Sequence, residues 1–518
     1  MISGEVDPVG IKTALDKTVM RNASLRSTFS RDGQEMIVHP EPKYHFEFID
    51  LSKNRSEIDE SQLSVIHNQA RTPFDLVKGP LLRVVMQKIG DEQFKLTINA
   101  HHIVLDGWSL AVFCRDLGYF YDVEMGVERE ALPPANSYAE YSKKMDEYFD
   151  SADGRADERF WVEQFKDEIP VLDLPIERKR PSLRTYYGRR YDHLLSNELV
   201  EKVRKIGAKS GCSLFNVMLA AFNAYVSRIS GCNDFCVGIP TAGQAAMDQL
   251  ELIGHCVNTM PLRTKIDPQQ SFVEYMKTSR SQLLDAFDHQ RYSYGTLLRK
   301  LSPPRDPSRP PMLSVSFNVD PMIDRSELGF AGLEIDVLVE PRSFENFEWF
   351  INGVIQNDKS IELQVQYNVD LYSTRSMKCY FEGFECFLDG IANAPDSRIN
   401  ELPTLSNSQR QKVIVDWNDT AMDYPTESTL SSEFSRQVEE TPDAVALVFE
   451  NKALTYQQVD AQSNQIARYL QEQGVKAGEL VGICVNRSER MLVYLYACLL
   501  YTSPSPRDAT LSRMPSSA

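Results

Sequence analysis

The stretch His101-His102-Ile103-Val104-Leu105-Asp106-Gly107 constrains this chain more than any other, because it puts a base, an acid and a flexible turn at the end of a readable strand. Phe94, Leu96, Ile98, Ala100, His102 and Val104 share one parity, while Lys95, Thr97, Asn99 and His101 share the other. Successive strand residues point to opposite faces, so the alternation predicts His102 on the apolar face and His101 on the polar one. An imidazole set in an apolar wall is disfavoured in its charged form, which leaves it free to accept a proton. Asp106 stands four residues further on, roughly 13 Å of extended chain, and reaches the imidazole only if the backbone turns sharply. Asp-Gly supplies such a turn. An aspartate buried there needs a cation to offset its desolvation, and an arginine from elsewhere is the expected partner. A bare His-His pair is also what a hydrogen-bonded core histidine looks like; the full spacing narrows the reading.

The motif resembles the HHxxxDG signature of condensation domains of nonribosomal peptide synthetases, and further blocks of that family follow in order. Met20-Arg21-Asn22-Ala23-Ser24-Leu25-Arg26-Ser27-Thr28-Phe29 is similar to RHExLRTxF, with Asn22 and Ala23 in place of His-Glu and both arginines kept. Tyr138-Ala139-Glu140-Tyr141 resembles the YxDF block, and Ile253-Gly254-His255-Cys256-Val257-Asn258-Thr259-Met260-Pro261-Leu262-Arg263 the GxxVNT block. His289-Gln290-Arg291-Tyr292 and Arg305-Asp306-Pro307-Ser308-Arg309 resemble the last two. The similarity covers about residues 3 to 403, and ordered blocks are far more specific than one HxxxD, which other acyltransferases also carry. The resemblance implies an α/β fold of two chloramphenicol acetyltransferase-like subdomains in a V-shaped pseudo-dimer, with the histidine motif at their junction and a tunnel to each face.

It also implies an acyltransferase that forms amide bonds, in which the α-amine of an acceptor aminoacyl thioester attacks a donor acyl or peptidyl thioester. The partners would be upstream donor and downstream acceptor carrier domains with phosphopantetheine arms, and an adenylation domain in cis. No cofactor or metal is expected to bind the chain directly. The candidate catalytic set is His102 as base or amine-orienting group, Gly107 as an oxyanion donor through its backbone N–H, and Asp106 and His101, to both of which structural parts are assigned. Asp106 would pair with Arg26 in the family's manner; Arg21 and Asn258 are supporting, Asn258 as a tunnel or interface residue or as a backbone clamp. An epimerisation domain carries the same motif, but Gly107-Trp108-Ser109-Leu110 lacks the VSWRIL-like continuation. A heterocyclisation domain would have aspartate where His101 stands. A free acyltransferase using coenzyme A would not be fused to an adenylation opening. The rival of a different class is a non-catalytic carrier-docking or gatekeeping domain.

Composition narrows the partners. With 518 residues, 42% of them hydrophobic and 25% charged, the chain can build more than one core. Its net charge of -17 argues against nucleic acid and anionic membrane surfaces. No apolar run reaches the roughly 18 residues of a membrane span and the start is not a basic signal region, so a cytoplasmic location is expected. Nine cysteines, an odd and scattered count, read as reduced thiols. Cys232 and Cys236 lack the second pair that a zinc site needs, and His101 and His102, on opposite strand faces, cannot easily share one ion.

Along the chain, Leu214, Val217, Met218, Ala221, Phe222, Tyr225 and Ile229 form an apolar helical stripe with Ser213 as N-cap and Gly231 as stop. Residues 168–188, with Pro170, Pro175, Pro181 and the cluster Arg178-Lys179-Arg180, read as a connector between two halves. Ile361 to Tyr367 alternates like the first-half strand but ends in Asn368-Val369-Asp370, a degenerate counterpart of the first site. The expected divisions are an N-terminal subdomain 1–175, a C-terminal subdomain 176–403, a linker 404–427 and an adenylation fragment 428–497. In the fragment, Leu454-Thr455-Tyr456-Gln457-Gln458-Val459 resembles the family's LTYxEL block, and Trp417-Asn418-Asp419-Thr420 a condensation-to-adenylation junction. A phosphate loop and a phosphopantetheine attachment serine are not found. Cys498 to Asp508 resembles a translated sequencing-library adapter, so 498–518 are set aside from fold reasoning. The family's opening SxAQxRLW-like helix and first strand find no match ahead of Ser3, so a shortened front is expected.

Overall fold

The computed structural model describes the chain apart from residues 53–70, 321–327, 425, 427, 477 and 502–518. It divides into two compact units, Met1–Ile414 and Val415–Ala518.

The first unit carries two sheets. One joins β1 (Ile2–Ser3), β4 (His45–Asp50), β5 (Leu82–Lys88), β6 (Gln93–Ala100) and β11 (Glu334–Ile335) in the order β11-β1-β6-β5-β4, beside a small hairpin of β2 (Ser27–Phe29) and β3 (Met36–Val38). Helix α1 (Pro8–Arg21), capped by Asp7, and helix α2 (Gly107–Glu124) supply Ile11, Leu15, Val19, Phe113 and Leu117 to the core. Phe94 and, partly buried, Leu96, Ile98 and Ala100 meet them from β6, as the alternation predicts. Gly118 on α2 is where the second half crosses: a Cβ there would lie 1.8 Å from the Leu328 carbonyl oxygen, so only glycine admits the chain that leads to β11.

The other sheet joins β7 (Gly188–Leu195), β8 (Asp234–Ala242), β9 (Val257–Lys265), β10 (Val315–Asp320), β12 (Trp349–Ile355) and β13 (Ile361–Asn368) in the order β7-β13-β12-β10-β8-β9. Helix α3 (Leu214–Ser230) packs in its core, with Val217, Met218, Ala221, Phe222 and Tyr225 buried. Its boundaries are those expected: Ser213 and Asn216 form a capping box, and Gly231 closes it at φ 73°. Helix α4 (Thr374–Asn393), capped by Ser373, follows β13. The connector carries no helix, and its Arg180 is bound to the buried Glu348 at 2.8 Å.

The second unit holds the hairpin β14 (Val445–Phe449) and β15 (Lys452–Thr455) with helices α5 (Leu430–Glu440), α6 (Tyr456–Glu472) and α7 (Glu489–Tyr501) around Phe434, Val459 and Val493. Thr455 and Gln458 of the quoted block form the capping box that starts α6. The expected linker is not wholly irregular, since Asn407–Ile414 is helical and closes the first unit. Cys498 to Tyr501 continue α7, and the rest of the adapter-like segment lies outside the described residues. All nine cysteines are free thiols. No helix among the described residues is long and apolar enough to cross a membrane.

Candidate active site between the two sheets

Strand β6 ends at Ala100, paired with Leu82, and His101 adds one further backbone bond to Leu81 at 2.9 Å before the chain turns through residues 102–104. The alternation therefore ends two residues short of His102. His102 is exposed, not buried on the apolar face, while Val104 in the turn is fully buried. His101 is the more enclosed of the two: its Nδ1 accepts the Ile103 N–H at 3.1 Å and its ring meets Phe74 edge-on. Burial, and then His255 nearby, hold the His101 pKa below the usual histidine range. His102 instead faces His255, with Nδ1 to Nδ1 at 3.1 Å and the rings near-perpendicular at 81°.

Asp106 is buried and caps α2. Its carboxylate accepts from Ser109 N at 2.9 Å, Ser109 Oγ at 2.7 Å, Gln244 Nε2 at 3.1 Å, Cys256 N at 2.9 Å and Val257 N at 3.0 Å. The expected partner, Arg26, does not reach it: the Arg26 guanidinium donates to the His39 carbonyl. A carboxylate that accepts this many N–H and O–H groups is satisfied without a cation, which is why the desolvation argument for an arginine fails here. Because Ser109 lies on α2 while Gln244 and Cys256 come from the β8–β9 connection and Val257 opens β9, Asp106 joins the two sheets at the motif. Ser109 reinforces the seam by accepting the Gly254 N–H at 3.0 Å. Neither Gln244 nor Ser109 was singled out by sequence; nothing local to either marks it.

Arg21 sits elsewhere, on the buried Asp116 at 3.0 Å, where Asn22 also donates at 3.1 Å. The departure from His-Glu at Asn22-Ala23 thus keeps a polar contact to α2. Asn258 is a backbone clamp: Nδ2 donates to Gln290 O at 2.8 Å and Tyr292 O at 2.9 Å, and Oδ1 accepts from Tyr294 N at 3.0 Å. Gly107 opens α2, is exposed, and has open space where a side chain would project. Its N–H belongs to the first turn, which has no intrahelical acceptor. Tyr138 donates to the His255 carbonyl at 3.0 Å and packs on Gly254, where a Cβ would lie 2.3 Å from its ring. Cys256 is buried, and burial followed by the Asp106 charge pushes its thiol up to about 12, so it is not a thiolate nucleophile at neutral pH. In the second sheet β13 ends at Asn368, which accepts from Asp370 N at 2.9 Å ahead of the Ser373 cap. This is the strand–turn–helix of the first site without its histidines.

The sequence profile of the condensation domain matches residues 1–414, and that of the AMP-binding enzyme matches residues 434–504. A linear gramicidin synthase of Brevibacillus parabrevis is 31% identical over 500 residues, which are 95% of this chain and 10% of that protein. The chain thus spans about a tenth of the length of this curated relative. Among solved structures, a four-domain nonribosomal peptide synthetase bound to AMP and glycine superposes with a TM-score of 0.78 at 19% identity, covering 96% of this chain and 38% of that one. The X-domain from teicoplanin biosynthesis, in complex with OxyB, superposes at 0.69 and 20% identity, covering 78% of this chain and 90% of that one. At these identities the structural likeness is one of fold.

Proposed function

Because this chain belongs to the condensation-domain family of nonribosomal peptide synthetases, followed by the opening of an AMP-binding domain, we propose that its first unit joins two carrier-bound partners through an amide bond. The α-amine of an acceptor aminoacyl thioester attacks the carbonyl of a donor acyl or peptidyl thioester. A C–N bond forms, the C–S bond breaks, and the amine proton passes to His102 and then to the departing thiolate. The observation that carries this reading is the accessible His102, set on a turn that Asp106 ties to both sheets. An α-amine titrates near pH 8, so an imidazole can take its proton with little mismatch, or orient the amine and bind the tetrahedral intermediate. The Gly107 N–H, at a helix N-terminus and unobstructed, suits the developing oxyanion. Direct attack of the amine on the thioester needs no acyl-enzyme. The upstream and downstream carriers would bring both substrates on phosphopantetheine arms, and the adenylation domain in cis would select the acceptor.

Intact-protein mass spectrometry of a single turnover tests this. An acyl-loaded donor carrier and an aminoacyl-loaded acceptor carrier are mixed with the wild type or His102→Ala. Acceptor mass increased by the acyl group, and lost in the variant, is the expected result. Carrier binding without transfer from any donor would instead assign the domain to docking or gatekeeping.

A further inference from the structure

His255 comes from the β8–β9 connection, so the strand–turn–helix that carries His102 does not hold it. Its Nδ1 stands 3.1 Å from His102 Nδ1. At that distance one nitrogen carries a hydrogen and the other a lone pair, because two N–H groups or two lone pairs would repel. Among the described residues no third histidine, cysteine or carboxylate completes a metal site around the pair.

We propose that His255 is a positioning residue that accepts the Nδ1–H of His102 and thereby keeps the lone pair of His102 on Nε2. This deepens the proposed function and rests on its reading of His102. A free imidazole places its proton on either nitrogen, and the form protonated at Nε2 can take nothing further there. The neighbour fixes the productive form. Once Nε2 has taken the amine proton, the same Nδ1–H faces a lone pair while the ring is charged, a stronger hydrogen bond than the neutral one. His255 thus does without a negative charge what a carboxylate does in a Ser-His-Asp triad.

The acceptor role needs a neutral His255. Desolvation by the surrounding protein, and then His102, hold its pKa below the usual range, while Asp106 and the His102 backbone pull the other way. Apart from Asp106, the titratable groups around His255 are shifted toward their neutral forms. His101 is shifted down. Burial pushes Tyr138 to about 12 and raises Tyr141 on the helix Tyr138–Phe149, and Cys256 is held at about 12.

The test labels the eight histidines of the full chain with nitrogen-15 and reads the protonation of each ring nitrogen by NMR, His102→Ala identifying the His102 signals. Three proteins are compared: wild type, His255→Phe, and His255→Asn, whose Oδ1 replaces Nδ1 as acceptor. In the wild type and His255→Asn, His102 should carry its proton on Nδ1; in His255→Phe it should move largely to Nε2. The single-turnover rate at pH 7 should fall about tenfold in His255→Phe and recover in His255→Asn, a modest share of what general-base catalysis contributes. An identical His102 tautomer and pH–rate profile in all three would reduce His255 to packing and overturn the proposal. The tautomer is read on the protein alone, so retained condensation in His102→Ala would remove the base assignment without deciding that of His255.

Discussion

One peptide bond separates a histidine engaged by its own turn from one that is exposed. His101 accepts the Ile103 N–H and packs on Phe74, so His101→Ala should cost about 1 kcal/mol in urea unfolding and little in rate. His102→Ala should leave the melting transition in place and lower the single-turnover rate by about 10²–10⁴-fold. Asp106 has the opposite profile. Removing its carboxylate takes the acceptor from Cys256 N and Val257 N and leaves Gln244 Nε2 only its 3.4 Å bond to Ser109 Oγ, and Asp106→Ala should cost about 3 kcal/mol or more. In a double-mutant cycle Asp106→Ala should couple to Gln244→Ala by about 1 kcal/mol and be additive with Arg26→Ala; coupling to Arg26 instead would contradict the geometry.

Elements whose signals are local were readable in advance, and those decided by a distant partner were not. Helix α3 announces itself through an apolar stripe, Ser213 and Gly231, each acting within a turn of its own position. The end of β6 is set by where β5 begins, since Leu82 is the last residue opposite Ala100, and nothing in His101-His102 records that. Carrying the alternation two residues further placed His102 on the wrong face. Apart from Ser109, the partners of Asp106 lie more than 130 residues away, so a carboxylate in need of donors could be read from sequence but not which distant donors. Helix α2 offers a test at this scale. Gly118→Ala sets a methyl against the Leu328 carbonyl, and should destabilise by about 2–3 kcal/mol. Hydrogen exchange at Glu334–Ile335 should rise with it, because the displaced segment leads into β11.

The two units bury apolar side chains on very unequal scales. The first unit buries dozens of side chains, whereas the second rests on Phe434, Val459 and Val493 with partly buried neighbours. Calorimetry should therefore resolve two transitions, the lower one removed when limited proteolysis cuts among the exposed residues Thr420–Tyr424; a single cooperative transition would show the units to be coupled. The pairing of Ile2 with Ile335 acts on a different clock. A ribosome adding about 5–20 residues per second takes on the order of 20–70 s to travel from one to the other. Throughout that interval the nascent β1 lacks β11, and the edge that β11 later covers is a template for other chains. The first sheet gains β11 only after Ile335 has been made, so its exposure to wrong partners in the cell is set by the speed of synthesis as much as by its own stability.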